Sequence, residues 1–345
     1  MYNCYNYFNQ VFIMFNVDKL KNSVINGYKL KKEDALSLID APLDELASAA
    51  DEIRQEFCAN KFDLCTLVNV KNGRCGEDCK FCAQSSHYDT DIDEYPLLSK
   101  EELKRQGKEL VDAGAERVSF VASGRKVTKR EFEVLQDALK ELIEDEGVHA
   151  CVSFGLMNDE QINRLKEIGV DRVHNNLESS RKYFAEICTT HSYDEKLETI
   201  DFVKSHGINV CSGGIFGLGE TFEDRIDLAL TLRDLGVKSI PINILNPIKG
   251  TPVENNEVLS YDEVCRIIAI FRFINTDAFI RLAGGRLFLE DKGVRAFKSG
   301  ANATISGNML TTAGISIQDD FELLEELGFE VKDLIDRVKI SWMKI

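Results

Sequence analysis

The sequence predicts an α/β protein folded as a (β/α)8 barrel of the TIM type. Short apolar segments alternate with amphipathic helical segments at intervals of roughly 30 residues, as in a series of β-α units. The short segments are β-branched or apolar throughout, which is typical of strands buried in a parallel sheet. They number eight, one for each strand of a barrel: 65–70, 117–122, 149–154, 171–176, 208–214, 239–245, 279–285 and 302–307. A doubly wound open sheet is the alternative.

The helices between these strands are recognised by their ends. Ser99 begins one helix, Glu102 three residues later completes a capping box, and Gly114 ends it. Two more helices run over 158–169 and 221–236, again from a capping residue to a glycine. Each follows a predicted strand, as a β-α unit requires.

We divide the chain into an extension and one domain. Residues 1–25 are predicted to be an N-terminal extension without fixed structure, and residues 26–345 to be the barrel domain. Within the domain, two helices are predicted over 31–57, as a cover for one end of the barrel.

Composition excludes several classes of function. The 345 residues carry 42 basic and 58 acidic side chains, a net charge of -16, so a nucleic-acid partner is not expected. The sequence has neither an apolar run of membrane-spanning length nor the basic start of a signal peptide, so we expect no membrane partner and a cytoplasmic location. The ten cysteines are then expected to stay reduced, and clustered cysteines indicate metal binding or catalysis.

Three cysteines in the segment "GRCGEDCKFCAQSSHY" directly follow the first predicted strand. Cys75, Cys79 and Cys82 have C-x3-C-x2-C spacing. Three thiolates on a [4Fe–4S] cluster leave one iron free to bind another ligand. The alternatives are a zinc site that takes a fourth ligand such as Cys65 or His87, or three unrelated thiols. Phe81, just before Cys82, is suited to stack on a bound adenine but equally to pack in a core.

The pattern C-x3-C-x-F-C after a first strand resembles the radical S-adenosylmethionine (SAM) superfamily. Further segments, among them "VHNNLESS", "VCSGGIFGLGET", "SIPINILNPIKGTPVENN" and "IRLAGGR", resemble the biotin synthase family over roughly residues 30–335. The resemblance implies that SAM binds the open iron of a [4Fe–4S] cluster and yields a 5′-deoxyadenosyl radical, and that an auxiliary iron–sulfur cluster donates sulfur to dethiobiotin. It also implies an electron donor of the flavodoxin or ferredoxin type and a homodimer.

The resemblance assigns roles to individual residues. Cys75, Cys79 and Cys82 match the ligands of the SAM-binding cluster. Ligands of an auxiliary [2Fe–2S] cluster are matched by a second set, namely Cys151, Cys211 and Arg281. Residues that bind SAM or dethiobiotin are matched by a third set: Asn176 for both, Asn243 for dethiobiotin, and Phe81, Glu178, Gly213 and Gly214 for SAM. The two glycines are expected to let the backbone approach the cofactor.

One position departs from the family pattern. The second strand carries Ser119 where the family has a further auxiliary-cluster cysteine, and a neutral hydroxyl is a poor ligand for iron. Cys188 occupies a place that is usually apolar, and Cys65 begins the first strand. We expect Cys188 to replace the missing thiolate, and a larger cluster to recruit Cys65 as well. Both have the alternative of being passive core thiols.

Two other functions stay open at this point. The first is another radical SAM enzyme, such as a hydrogenase maturase or methylornithine synthase. The second, of a different class, is a non-catalytic iron–sulfur sensor. Analysis of iron and sulfide together with SAM cleavage would distinguish them.

Overall fold

The computed structural model describes residues 16–115 and 117–331, in which parallel strands close into a barrel. The strands of the described residues are β1 Lys61–Lys71, β2 Arg117–Ala122, β3 His149–Ser153, β4 Arg172–His174, β5 Asn209–Cys211, β6 Gly214–Phe216, β7 Ser239–Ile244, β8 Phe279–Leu282, β9 Ala303–Ile305 and β10 Glu330–Val331. All eight predicted segments contain a strand, although β1 begins four residues earlier than predicted.

The pairing of β1 with β9 closes the barrel. Cys65 of β1 is in register with Arg117 of β2 on one side and with Ile305 of β9 on the other. The order around the barrel is β1-β2-β3-β4-β5-β7-β8-β9, and every one of these pairings is parallel. β6 continues β5 after a short break and pairs with β7. The (β/α)8 prediction is confirmed, because an open doubly wound sheet would leave β1 and β9 as unpaired edges.

Helices fill the connections between these strands and precede the first of them. Those of the described residues are α1 Val17–Ile25, α2 Lys32–Ser37, α3 Leu43–Cys58, α4 Lys100–Asp112, α5 Lys129–Glu146, α6 Asp159–Glu167, α7 Arg181–Ile187, α8 Tyr193–Ser205, α9 Phe222–Asp234, α10 Tyr261–Ile274, α11 Val294–Phe297 and α12 Ile317–Glu326, with a 3-10 helix at Arg286–Phe288. No helix in residues 16–115 or 117–331 is both long and apolar enough to cross a membrane.

Side-chain caps begin the predicted helices. Ser99 accepts a hydrogen bond from the Glu102 N–H, as predicted, but the Glu102 carboxylate turns to Arg105 and leaves this capping box half formed. The boxes that begin α6 and α9 are complete, with Asn158 and Thr221 as their N-caps. Satisfying the first N–H groups in this way defines where each helix starts.

The helices before β1 pack on the outer ring of the barrel. The two predicted over 31–57 are α2 and α3, which contact α9 and α10 respectively. α10 is buried from Val264 to Ile274 except at Arg266, since α3 covers the face that would otherwise meet water.

The predicted extension needs a correction at its end. α1 lies within residues 1–25, yet it packs against α3, buries Val17 and Val24, and pairs Lys21 Nζ with Glu52 Oε2 at 2.6 Å. These contacts make residues 17–25 part of the helical cover. Residues 1–15 lie outside the described residues.

The break between β5 and β6 brings two glycines against neighbouring backbone. A Cβ on Gly213 would lie 2.0 Å from the carbonyl oxygen of Pro241, and one on Gly214 would lie 2.5 Å from that of Glu178. The Gly213 N–H also donates to Asn176 Oδ1 at 2.9 Å. Only glycine allows this approach, which joins β5 and β6 to β7 and to the end of β4.

Replacing Gly213 with alanine is therefore expected to strain the barrel. The added methyl group must push Pro241 away, and the free energy of unfolding should fall by about 1–3 kcal/mol or more, as in overpacked cores. Denaturant unfolding of the metal-free protein measures this change. Gly76→Ala is the control, because its Cβ would meet nothing within 4 Å. Equal stability of the two variants would contradict a tight contact at Gly213.

Candidate active site

The first group of thiols lies on the loop that connects β1 to α4, residues 72–99, here called the cysteine loop. The loop folds back on itself, because Cys75 N–H donates to Gln84 O at 2.9 Å and Ser86 N–H donates to Cys75 O at 2.7 Å. Cys82 N–H closes a turn onto Cys79 O at 3.0 Å. The three thiols are half-buried, and burial raises the pKa of Cys75 and raises that of Cys82 to about 11. Such thiols release their protons when they bind a metal.

A cavity of about 360 Å³ leads from this loop into the barrel. Phe81 and Cys82 of the cysteine loop contribute to its wall. Deeper in, the strands contribute Cys65, Ser119, Cys151, Cys211 and Arg281 to the same wall. These side chains come from five different strands, and their convergence follows from the alternation of inward and outward residues along each strand. The auxiliary-site residues Ser119, Cys151, Cys211 and Arg281 expected from the sequence thus share one cavity.

The three thiols on the strands, Cys65, Cys151 and Cys211, are here called the floor thiols. Cys65 Sγ donates a hydrogen bond to Thr66 O at 3.3 Å, and its interaction with Cys151 lowers the pKa of Cys65, whereas burial raises that of Cys151. Cys211 accepts a hydrogen bond from Ser239 Oγ at 3.2 Å. Burial favours the neutral Cys211 thiol, but the charge and hydrogen bond of His174 and the nearby arginines outweigh it and lower the pKa to about 6. The floor is therefore a place where thiolates are stabilised.

An arginine network lies directly beneath the floor thiols. Asp63 Oδ2 is 2.9 Å from Arg172 Nη1 and 2.9 Å from Arg281 Nη2, and Arg117 Nε is 3.5 Å from Asp63 Oδ1. Burial opposes ionisation of Asp63, yet the three guanidinium groups hold its pKa well below the usual range. One carboxylate faces three cations, so the floor keeps an excess of positive charge.

Several polar atoms of this network have no hydrogen-bond partner among the described residues. They are Asp63 Oδ1, Arg117 Nε and Arg281 Nη2, all buried. The ion pairs that these atoms make are close in distance but not aligned as hydrogen bonds. Buried polar atoms are normally satisfied, so these orphans indicate a place for a further polar group. An anionic iron–sulfur cluster beside Arg281 and the floor thiols fits that place in charge and in donor atoms.

Two asparagines and a glutamate line the upper wall of the cavity. Asn243 donates to Gly214 O and accepts from Gly284 N–H, both at 3.0 Å. Asn176 Nδ2 donates to Glu178 Oε2 at 3.3 Å. Each asparagine keeps at least one amide N–H for a ligand. Glu178 has a φ of 67°, which is strained for a residue with a side chain, and burial raises its pKa.

Gly213 and Gly214 are glycines for a different structural reason from the one expected. They do not line the cavity, and their missing side chains make room for the backbone of Pro241 and Glu178. The structure thus gives the two glycines a packing role, and their expected approach to a cofactor stays a prediction.

Cys188 is also placed differently from the expectation. It ends α7, and its Sγ lies 3.6 Å from that of Cys79 and 3.2 Å from His191 Nδ1. It does not line the cavity that holds Cys151, Cys211 and Arg281. The expected role of Cys188 in the auxiliary cluster is corrected, because the α7–α8 loop carries it to the cysteine loop. Cys65 instead stands among the floor thiols.

Sequence reasoning missed three charged residues near the site. Arg172 and His174 line the cavity from β4, and Lys196 of α8 acts electrostatically on Cys79 and Glu178. A signal was available for the first two. Polar Arg172 and His174 flank apolar Val173, as expected where alternate residues of a strand face a polar interior.

Two family models match this chain. One, described as the radical SAM superfamily, covers residues 70–232, and the other, described as the biotin and thiamin synthesis associated domain, covers residues 241–330. A protein named biotin synthase from Brachyspira hyodysenteriae is 52% identical over 317 residues, covering 92% of this chain and 95% of the relative. Another of that name from Clostridium botulinum (strain Hall) is 51% identical over 318 residues, covering 92% of this chain and 100% of the relative.

Solved structures share the barrel at lower identity. The crystal structure of methylornithine synthase has a TM-score of 0.79 at 23% identity and covers 93% of this chain and 99% of its own. The [FeFe]-hydrogenase maturase from Carboxydothermus hydrogenoformans has a TM-score of 0.76 at 16% identity, covering 91% of this chain and 78% of its own. At these identities the likeness shows the fold.

The arginine network gives a testable stability effect. Asp63→Asn leaves Arg172 and Arg281 without their paired carboxylate, leaves Arg117 with Asp171 alone, and should lower the free energy of unfolding by about 3–5 kcal/mol at neutral pH. The pKa of Asp63 is depressed in the folded state, so its contribution is present above the unfolded pKa near 4 and is lost as pH falls further. The difference between wild type and variant should therefore shrink in acid.

Denaturant titrations at several pH values measure both effects. Asp171→Asn is the matched control, since Asp171 pairs with Arg117 at 2.9 Å but is much more exposed, and it should cost less than about 1 kcal/mol. Equal losses in the two variants would contradict a special role for Asp63.

Proposed function

This chain belongs to the biotin synthase family of radical SAM enzymes, and we propose that its barrel holds dethiobiotin between two iron–sulfur sites built from its own thiols. Enzymes of this family insert sulfur into dethiobiotin to form biotin, with a [4Fe–4S] cluster, SAM and an auxiliary iron–sulfur cluster, and that is the function of this chain. One observation carries the proposed arrangement: a single cavity connects Cys82 of the cysteine loop with the floor thiols.

Cys75, Cys79 and Cys82 are proposed as the ligands of the [4Fe–4S] cluster. Their loop follows the carboxyl end of β1, where barrel enzymes place their chemistry. Phe81 lines the cavity beside Cys82, in a position to contact the adenine of SAM. Lys196 supplies a positive charge near Cys79, which suits the carboxylate of SAM.

Asn176, Asn243 and Glu178 are proposed to hold SAM and dethiobiotin in the upper cavity. The urea of dethiobiotin is neutral and offers two donors and one acceptor, which matches side-chain amides. Asn243 is fixed by hydrogen bonds to Gly214 and Gly284, so its free N–H group is already oriented before a ligand arrives. Glu178 can accept hydrogen bonds from ribose hydroxyl groups.

For the auxiliary cluster we propose Cys65, Cys151, Cys211 and Arg281 as ligands. Cys65 supports this set because it interacts with Cys151 and lines the same wall. Ser119 lies on β2 in register with Cys151 and is not needed as a ligand when Cys65 provides the third thiolate. A larger cluster than [2Fe–2S] can use the same four residues.

The protein orients the substrate, excludes water from the cavity and supplies positive charge at its floor. Bound SAM and the clusters supply the radical that removes hydrogen from dethiobiotin and the sulfur that replaces it. Apolar side chains such as Leu67, Val121, Ile215 and Met309 line the cavity and keep water from reactive species. The asparagines orient the substrate, and the arginine network stabilises negative charge on the floor.

Several further properties remain part of this proposal. From the family resemblance we infer an electron donor of the flavodoxin or ferredoxin type, a homodimer and a cytoplasmic location. Residues 26–345 are proposed as one barrel domain, to which α1 adds residues 17–25. The two matched family models fit a single domain, because β6 of the first pairs with β7 of the second.

The alternative functions are not favoured. The hydrogenase maturase and methylornithine synthase structures share the barrel at 16% and 23% identity, whereas the biotin synthases are about half identical over nearly their whole length. A non-catalytic sensor does not explain a cavity with amides on its wall beside two sets of thiols.

Dethiobiotin should stimulate the cleavage of SAM. Protein rebuilt with iron and sulfide without oxygen is expected to form 5′-deoxyadenosine faster with dethiobiotin present, and to form biotin. Cys79→Ala should abolish 5′-deoxyadenosine formation while the barrel stays folded, because a loop residue contributes little to the core. Cys265→Ala, in α10, is the control that should keep activity. An equal rate of SAM cleavage with and without dethiobiotin would contradict the assigned substrate.

The choice of auxiliary ligand can be tested separately. Cys65→Ala should lose the auxiliary cluster and biotin formation but still cleave SAM, since thiolate binds iron far better than the hydroxyl that would remain nearby. Ser119→Ala and Cys188→Ala should both keep the auxiliary signal. Mössbauer spectra and iron content of the three variants measure the outcome. An auxiliary signal that survives in Cys65→Ala but is lost in Ser119→Ala would reverse the assignment.

A further inference from the structure

A second group of metal-ligating side chains lies behind the cysteine loop and outside the cavity. It consists of Cys79, Cys188 and His191, whose ligand atoms all lie within 4.8 Å of one another. We propose that, when the [4Fe–4S] cluster is absent, these three residues bind a thiophilic divalent cation of the zinc class. Two thiolates and an imidazole form a donor set that such cations prefer to the oxygen ligands of Mg²⁺ or Ca²⁺.

The distances already approach those of a tetrahedral site. Zinc–sulfur bonds of about 2.3 Å place two thiolates about 3.8 Å apart, and the Sγ atoms of Cys79 and Cys188 are 3.6 Å apart. A sulfur and a nitrogen ligand would be separated by about 3.5 Å. Cys188 Sγ and His191 Nδ1 are 3.2 Å apart, so a shift of a few tenths of an ångström completes the geometry.

Glu77 lies beside the imidazole of His191. Its Oε2 contacts His191 Nδ1 and accepts a hydrogen bond from Thr190 Oγ1 at 2.9 Å. Glu77 is buried, and its other oxygen lies 3.7 Å from Arg125 Nη1. Two thiolates and a carboxylate exceed the charge of a divalent cation, and Arg125 compensates for the difference.

Hydrogen bonds between two loops assemble this group in advance. Lys80 N–H donates to Ile187 O at 2.9 Å, which joins the cysteine loop to the end of α7. Asp78 Oδ1 accepts from the N–H groups of Thr189 at 2.8 Å and Thr190 at 3.2 Å. The ligands are thus held from both sides, and binding requires little ordering of the chain.

The site shares Cys79 with the cluster, and this part of the inference rests on the proposed function. One thiolate cannot serve both metals in this arrangement, so the cation and the cluster exclude each other. Zn²⁺ at this site would occupy the cysteine loop and slow the rebuilding of the cluster. Cys188 would then decide how strongly zinc competes with iron.

Titration with Co²⁺ under reducing, oxygen-free conditions tests the site in the full-length chain stripped of iron. Co²⁺ bound by thiolates in a tetrahedral site absorbs visible light, so each variant reports both affinity and ligand type. Cys188→Ala and His191→Ala should each weaken binding of about one Co²⁺ ion by roughly tenfold or more. Cys75→Ala, Cys82→Ala and Cys265→Ala should bind it as the wild type does. The floor thiols are unchanged in all five variants, so Co²⁺ held there cancels in the comparison.

Two results would overturn the proposal. The first is unchanged Co²⁺ binding in Cys188→Ala. The second is binding that depends on Cys75 and Cys82 but not on His191, which would place the ion within the cysteine loop itself.

Rebuilding the [4Fe–4S] cluster in the presence of Zn²⁺ gives an independent readout. Zinc should slow the appearance of the cluster absorption in the wild type and have a weaker effect in Cys188→Ala. Equal inhibition of both proteins would contradict the competition. Failure to form biotin would leave the cobalt result intact, so the two proposals can fail separately.

Discussion

One carboxylate facing three guanidinium groups is the interaction on which the site depends. Asp63 holds Arg117, Arg172 and Arg281 beneath the floor of the barrel and leaves them an excess of positive charge. Buried charge of one sign is costly unless an opposite charge lies near it. The excess stabilises thiolates above it, which is one reason why the pKa of Cys211 falls to about 6. The same charge suits an anionic iron–sulfur cluster.

Strand geometry places the residues near this network around one cavity. Side chains at alternate positions of a strand face the barrel interior, so Asp63 and Cys65 of β1 form successive layers on the same side. The cysteine loop begins where β1 ends and adds Cys82 to the upper part of the same cavity. A substrate between the two levels has radical chemistry on one side and the proposed sulfur donor on the other. The positions of the strands and of the cysteine loop determine this order of sites along the barrel.

Cys65 and Cys188 show how much a local sequence pattern can predict about the position of a thiol in the fold. In the sequence both are single thiols near expected site positions, and Cys188 was the preferred substitute for the cysteine missing at Ser119. In the fold, Cys65 lines the same cavity wall as Cys151, whereas Cys188 lies 3.6 Å from Cys79. The difference arises because β1 pairs with β2, so that Cys65 and Cys151 reach the same level of the barrel, and because the end of α7 packs onto the cysteine loop.

The sequence by itself determined the barrel, the cysteine loop and the family, because strand and helix periodicity, capping residues and the C-x3-C-x2-C spacing are local properties of the chain. It also indicated Cys151, Cys211 and Arg281 as neighbours through the family pattern. Only the tertiary structure decided which thiol joins them, why Gly213 is needed and where His191 lies. Those answers depend on the register between strands and on the packing of loops from distant units, and no short stretch of sequence encodes the distance between such elements.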